Sequence, residues 1–337
     1  MSSACGYFPG SAIEWGVCGE PTLTAKVFID GQAGTTGIEI FERLRQRPDI
    51  ELLSVAEAKR KDPSARAHLF DQADIAILCL PDDAAREAAA LAEGRCRLLD
   101  ASTAHRTADG WTYGLPELAP SQTDAIAAAD RVSNPGCYPQ GFVLCVRPLV
   151  DAGLLPPEAN LTLHAISGYS GGGRKMIEAY EAADAAQRDQ WGARPYALNL
   201  RHKHLPEMQR YSGLTSPPLF SPTVGAFRKG MVTLVPLFRE QLEGGGQAGD
   251  VVDVLTRAYR DSPFVAVSPY GDCRGLEGGF LSPGGCNGTN RMEISLLGNA
   301  RQLLLAARYD NLGKGAAGAA VQNLNLMLGC EQTRGLA

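Results

Sequence analysis

Lys26-Val-Phe-Ile-Asp30-Gly-Gln-Ala-Gly34-Thr-Thr-Gly37 is followed at once by Ile38, Ile40, Phe41 and Leu44. A short apolar run, a loop with three glycines and apolar residues at helical spacing predict strand, tight turn and helix in that order. That sequence of elements is what a dinucleotide site requires. Glycine lets the backbone turn tightly and approach a pyrophosphate, which the helix N-terminus then holds. The spacing here is Gly-x-x-Gly-x-x-Gly rather than Gly-x-Gly-x-x-Gly, so the context and not the glycine pattern carries the reading. A plain glycine-rich connection in an α/β protein is the alternative.

The neighbouring segments extend the pattern. Ile50–Val55 reads as a second strand. Glu57 stands where an acidic residue could meet a ribose 2′-hydroxyl, but Lys59-Arg60-Lys61 follows directly, and a basic cluster suits a 2′-phosphate and hence NADP. A solvated charged loop is the other reading. Asp74–Leu80 is a nearly continuous apolar run, as a parallel strand buried on both faces should be. An Ala-rich helix through Glu93 follows, with Asp82 or Asp83 as its cap. Arg97–Asp100 is a further strand. Strand and helix alternating over residues 26–103 predict a doubly wound, Rossmann-like parallel sheet with its ligand at the strands' carboxyl ends. From about residue 150 the pattern changes. Leu161–Ile166 alternates as an antiparallel strand, Val224–Leu237 supplies more, and Met292–Leu296 with Gln302–Arg308 reads as one antiparallel sheet. Asp310-Asn-Leu-Gly-Lys-Gly315 is then a turn-rich loop that enters a long helix to about Leu328. The fold class is therefore α/β, a parallel nucleotide domain joined to an α+β domain with a mixed or antiparallel sheet.

Chemistry concentrates in Ser133-Asn-Pro-Gly-Cys137-Tyr-Pro-Gln-Gly141. Pro135-Gly136 breaks what precedes it, and Pro139 fits only a first helical turn, so Cys137 is expected at a helix N-terminus. Unpaired N–H groups and the positive dipole end there favour thiolate and could hold an oxyanion. A buried core cysteine is the alternative. Ser167–Lys175, with three consecutive glycines before Arg174-Lys175, suits an anion or is a plain glycine loop. In Asn199–Glu207, His202 and His204 could shuttle a thiol proton. No second Cys/His pair stands at metal-site spacing, so no metal is expected.

Bulk properties set the class. The 337 residues can bury a sizeable core and predict about two domains. A net charge of −5 argues against a nucleic-acid binder. No apolar stretch reaches the length of a membrane span. Nine cysteines, none spaced Cys-x-x-Cys, fit a reducing cytoplasm better than a disulfide framework. Residues 1–24 lack the pattern of a signal peptide and read as a loosely ordered extension.

Seven stretches together resemble one family: Asp30–Gly37, Asp100–Arg106, Tyr113–Leu118, Asn134–Pro139, Gly168–Lys175, His202–Glu207 and Asp310–Gly315. In that order they are similar to the short-form N-acetyl-γ-glutamyl-phosphate reductases of the semialdehyde-dehydrogenase superfamily, over about residues 26–329. Gln140 departs from the family, which more often has Thr there. The resemblance implies NADPH-dependent reduction of an acyl phosphate in arginine biosynthesis, with Cys137 as nucleophile and His204 as acid/base. Cofactor contacts are expected from Gly31, Gly34, Thr35, Thr36, Gly37, Lys59, Ser102 and Asn311. Substrate contacts are expected from Arg106, Arg174, Lys175 and Glu207, the last orienting either His204 or the substrate amide. A nucleotide domain over 25–136, completed by a C-terminal helix over 311–337, and a catalytic and oligomerisation domain over 137–310 follow, in a homodimer or homotetramer. A sister reductase, such as an aspartate-semialdehyde dehydrogenase, and a non-catalytic NADP-binding sensor are the competing readings.

Overall fold

The computed structural model describes residues 24–337. The extension expected over 1–24 falls, Thr24 apart, outside the described residues. The first half alternates β1 (Ala25–Asp30), α1 (Thr35–Leu44), β2 (Ile50–Leu53), α2 (Pro63–Gln72), β3 (Ile75–Leu78), α3 (Asp82–Leu91) and β4 (Arg97–Asp100). It closes with β5 (Thr112–Tyr113), α4 (Gln122–Ala128) and β6 (Arg131–Ser133). All six strands run parallel in the order β2-β1-β3-β4-β6-β5. Strand side chains alternate between faces, and both faces are covered. Val27, Ile29, Ile77 and Leu99 pack with Ile40 and Leu44 of α1. Phe28, Ala76, Leu78 and Leu98 pack with Phe70 of α2 and Ala88 of α3. Each large side chain buried this way contributes about 1.5–3 kcal/mol.

One cap differs from expectation. Pro81 is the N-cap of α3, and no side chain caps it. Asp82 lies already inside the first turn and accepts instead from the Thr103 N–H at 2.9 Å, tying the exit of β4 to the helix. Asp83 pairs with Arg86 on the surface.

The second half opens with α5 (Cys137–Asp151). It continues through β7 (Thr162–Gly168), α6 (Arg174–Ala182), α7 (Ala185–Trp191), β8 (Ala193–Pro195) and α8 (Leu205–Ser212). β9 (Leu219–Gly225), β10 (Met231–Phe238), α9 (Ala248–Tyr259), β11 (Val265–Val267), β12 (Met292–Gly298) and β13 (Gln302–Tyr309) follow. The sheet order is β11-β12-β13-β10-β7-β9-β8. β7 is antiparallel to β10 but parallel to β9, and β11 is parallel to β12, so the sheet is mixed. Helix α5 is buried along most of its length, with Phe142, Val143 and Val146 in one core with Val235, Ile294 and Leu305. Pro148 inside that helix cannot donate to the Leu144 carbonyl. The Tyr259 hydroxyl donates to that carbonyl instead, at 2.6 Å.

After β13 the chain passes through a π-helical turn (Gly313–Ala317) into α10 (Gly318–Met327). The π-helical turn takes up the end of the loop expected over 310–315 and leads directly into the helix. Ala320, Val321 and Leu324 of α10 join the cluster that holds Val27 and Ile29, so the chain's end packs on the first sheet.

Candidate active site

The carboxyl ends of β1, β4 and β6 face a cleft of about 400 Å³ that the second half closes. Cys137, the first residue of α5, opens onto it together with His204, the N-cap of α8. The connection is tight by necessity. A Cβ on Gly136 would sit 2.6 Å from Arg106 Nη1, 2.8 Å from His204 Nε2 and 2.9 Å from Glu207 Oε2. Only glycine lets these three side chains converge on the backbone beside the thiol. The Tyr309 hydroxyl donates to the Cys137 carbonyl at 2.7 Å and fixes the helix start from β13. On the other side, a Cβ on Gly315 would lie 3.1 Å from Cys137 Cβ. The turn that carries Gly315 is pinned by Lys314, fully buried, whose Nζ donates to both Glu117 oxygens at 2.7 and 2.8 Å. Burial holds the Lys314 ammonium below its usual range, and Glu117 opposes that.

The electrostatics overturn one expectation. Burial pushes the Cys137 thiol up to about 11, Arg106 and the Tyr138 N–H pull it down, and Glu207 pushes it up again. Cys137 is therefore a thiol at neutral pH, not a standing thiolate. Nor is the Gly136 N–H free for an oxyanion, because it donates to Glu207 Oε1 at 2.7 Å. Burial also holds His204 well below the usual histidine range, with the charges of Arg106 and Lys203 in the same direction. A neutral imidazole is a base, and its buried Nδ1 has no partner among the described residues. His202, lowered to about 4 mainly by burial, accepts the His204 backbone N–H on its Nδ1 at 3.2 Å.

Not every expected residue reaches a cleft. Gly31 and Gly34 line a second cavity of about 770 Å³, beside Arg60, Lys61 and Arg174. Gly31 lies at φ 89°, where a Cβ would run into the Cys79 carbonyl. Such a backbone floor under three cations fits the pyrophosphate and phosphates of a dinucleotide. Thr35, Thr36 and Asn311 turn to the catalytic cleft instead. Asn311 is fixed there, accepting from the Gly230 N–H at 2.8 Å and donating to Ser170 Oγ at 2.9 Å. Gly37 serves packing, since a Cβ would stand 2.7 Å from the Gly31 carbonyl. Lys59 lines neither cavity; its neighbours Arg60 and Lys61 do. Ser102 is drawn inward by Asp100, which accepts from its hydroxyl at 2.6 Å and its N–H at 2.9 Å, leaving Ala101 on the cleft.

The four residues expected at the substrate are not brought together. Arg106 does line the catalytic cleft. Arg174 does not: it faces the nucleotide cavity and pairs with Glu178 at 2.7 Å, because α6 begins at Arg174 and turns its side chain away. Lys175 is exposed on neither cavity. Glu207 is buried and spent: its carboxylate accepts from Tyr113 Oη and the Gly136 N–H, both at 2.7 Å, and from Arg106 at 3.3 Å. It orients neither His204 nor an open subsite. Tyr196 and Lys203 line the cleft with no expectation attached to them; Lys203 lay within the His202-Lys-His204 stretch, where its neighbours drew the reading.

The chain is similar to known proteins over most of its length. Residues 26–126 match the model of the semialdehyde dehydrogenase NAD binding domain, and residues 137–311 that of the semialdehyde dehydrogenase dimerisation domain. The chain is 49% identical over 318 residues to N-acetyl-gamma-glutamyl-phosphate reductase 2 of Nostoc sp., covering 92% of this chain and 99% of that one. It is 49% identical over 315 residues to the Pseudomonas putida protein of the same name, covering 93% and 99%. Among solved structures, aspartate semialdehyde dehydrogenase from Francisella tularensis shares the fold with a TM-score of 0.69 at 15% identity, over 90% of this chain and all of that one.

Proposed function

The chain belongs to the N-acetyl-γ-glutamyl-phosphate reductases within the semialdehyde dehydrogenases, and on that premise we propose that it reduces N-acetyl-γ-glutamyl phosphate to N-acetyl-glutamate 5-semialdehyde with NADPH, releasing phosphate, as a step of arginine biosynthesis. The observation that carries this reading is Cys137 at the start of α5, sharing one cleft with a neutral His204. Gly31, Gly34, Arg60 and Lys61 would hold NADPH, which supplies the hydride. His204 takes the proton from Sγ as sulfur attacks the γ-carbonyl, so that the thiolate exists only in the act of bond formation. The C–O bond to phosphate breaks and a Cys137 thioester remains, whose carbonyl accepts hydride where a carboxylate would not. His204 then returns the proton as sulfur leaves the reduced carbon. Arg106, anchored to the Asn134 and Ala101 carbonyls at 2.9 and 3.1 Å, keeps positive charge at the thiol.

The dimerisation-domain match supports a homo-oligomer, which we take as a dimer or tetramer. A working reduced thiol at Cys137 supports the cytoplasm as its compartment, and among the described residues no helix is long and apolar enough to cross a membrane.

The reverse reaction tests the proposal. NADP⁺ reduction is followed with N-acetyl-glutamate semialdehyde and phosphate, against aspartate semialdehyde and against NAD⁺. Phosphate-dependent NADPH formation with the acetylated substrate is expected, and Cys137→Ser should bind NADPH yet lose turnover by at least about 10³-fold. Activity with aspartate semialdehyde alone would move the chain to the sister reductases. Normal turnover by Cys137→Ser would remove the covalent mechanism.

A further inference from the structure

Among the described residues two cations, Arg106 and Lys203, reach the catalytic cleft, and they are not equivalent. Arg106 is held by protein acceptors on all three nitrogens: Nε donates to the Asn134 carbonyl, Nη2 to the Ala101 carbonyl, and Nη1 to the Glu207 carboxylate. Glu207 offsets part of its charge, and what remains acts on Cys137 and His204. Lys203 lines the same cleft, and among the described residues its ammonium has neither an ion-pair partner nor a hydrogen-bond acceptor. The stretch that carries it is nevertheless fixed. His202 Nδ1 accepts from the His204 N–H, and His204 caps α8, so the Lys203 backbone is fixed at the helix start while its side chain is exposed. Its charge is felt at Cys137, His202 and His204 alike.

We propose that Lys203 is the binding residue for the transferred phosphate. This rests on the acyl-phosphate reading above. The phosphate oxygen is bonded to the very carbon that Cys137 attacks, whereas the α-carboxylate carbon lies four bonds further along the substrate. The anion that comes next to Cys137 and His204 is therefore the phosphate. An uncommitted ammonium there offers three donors and a full charge to it. As the Sγ–C bond forms, the electron pair of the breaking C–O bond goes to phosphate, the Sγ proton goes to His204, and Lys203 stabilises the charge on the departing group. The role expected of Arg174 and Lys175 passes to a residue that the fold places on the nucleophile's side.

Two measurements decide it. In the reverse reaction, Lys203→Met should raise the KM for phosphate at least tenfold, with the KM values for semialdehyde and NADP⁺ changed less than twofold, and Lys203→Arg should recover most of the loss. Separately, inorganic phosphate should protect Cys137 of the wild type from iodoacetamide and give no protection in Lys203→Met. An unchanged phosphate KM or undiminished protection overturns the assignment. A rise in the semialdehyde KM instead overturns it in favour of the α-carboxylate. A wild type without phosphate-dependent turnover would sink the functional reading, while the protection experiment would still decide whether Lys203 holds phosphate.

Discussion

The starts of α1 and α5 are built alike and used differently. Each helix is capped by a glycine in extended conformation, Gly34 at φ −78°, ψ 161° and Gly136 at φ −72°, ψ 153°, and neither has a side-chain cap. At α1 the cap residue Gly34 lines a cavity edged with cations, fit for an anion that the protein does not supply. At α5 the protein supplies one: Glu207 accepts the Gly136 N–H and brings a full negative charge to the positive end of the helix. A helix end therefore activates a cysteine only as far as burial and its neighbours allow. Here burial keeps the thiol, Glu207 adds to that, and Arg106 and the Tyr138 N–H offset only part of it, with the base beside it kept neutral.

The largest expected effect comes from adding one carbon at each cap. Gly136→Ala must displace Arg106, His204 and Glu207 together, the contacts being 2.6, 2.8 and 2.9 Å. A shift of about 1 Å in the base should lower kcat/KM by about 10²-fold or more, with the circular dichroism unchanged. In Gly34→Ala the new Cβ meets the Gly31 carbonyl at 3.4 Å and the Cys79 carbonyl at 3.7 Å, ordinary contacts. A change of a few-fold in the KM for NADPH is expected there. Equal losses at both caps would break the comparison.

Glu207→Gln tests the compensation itself. With the thiol at about 11 in the wild type, the rate of Cys137 alkylation by iodoacetamide should climb about tenfold per pH unit from 7 towards 10, since only thiolate reacts. Removing a nearby negative charge favours the thiolate, so the profile of Glu207→Gln should move to lower pH, by about one unit. The same substitution leaves Arg106 buried without its counter-charge, so the melting temperature should fall. Superimposable alkylation profiles would mean that Glu207 holds the helix start and nothing more.

The sequence made the order of elements plain because it is local. Strand periodicity, the loop before Ile38 and the Pro-Gly before Cys137 each act within a few residues. What it did not carry was direction and distance. Arg174 and Lys175 follow three glycines, yet the rotation of α6 sends one to the nucleotide cavity and the other to solvent. Glu207 sits three residues after His204, a spacing that suggests partnership, but the helix turns its carboxylate to Tyr113 and Gly136, which are 94 and 71 residues away. Asp82 has the composition of a cap and is claimed by Thr103. The sign of the Cys137 shift likewise depends on burial and on a carboxylate remote in the chain.

The smallest effect sharpens the contrast from the open side. Arg174 faces the cavity at the α1 end, but its side chain is 71% exposed and already shared with Glu178. An exposed charge contributes less than about 1 kcal/mol to a bound anion. Arg174→Ala should therefore raise the KM for NADPH by about two- to fourfold and leave the phosphate and semialdehyde KM values where they were. The effect should shrink with added salt, because solvent and ions screen a cation placed there. A rise in the phosphate KM instead would put the α6 loop on the substrate side of the cleft, and the uncompensated end of α1 would then bind its anion with Arg60 and Lys61 alone.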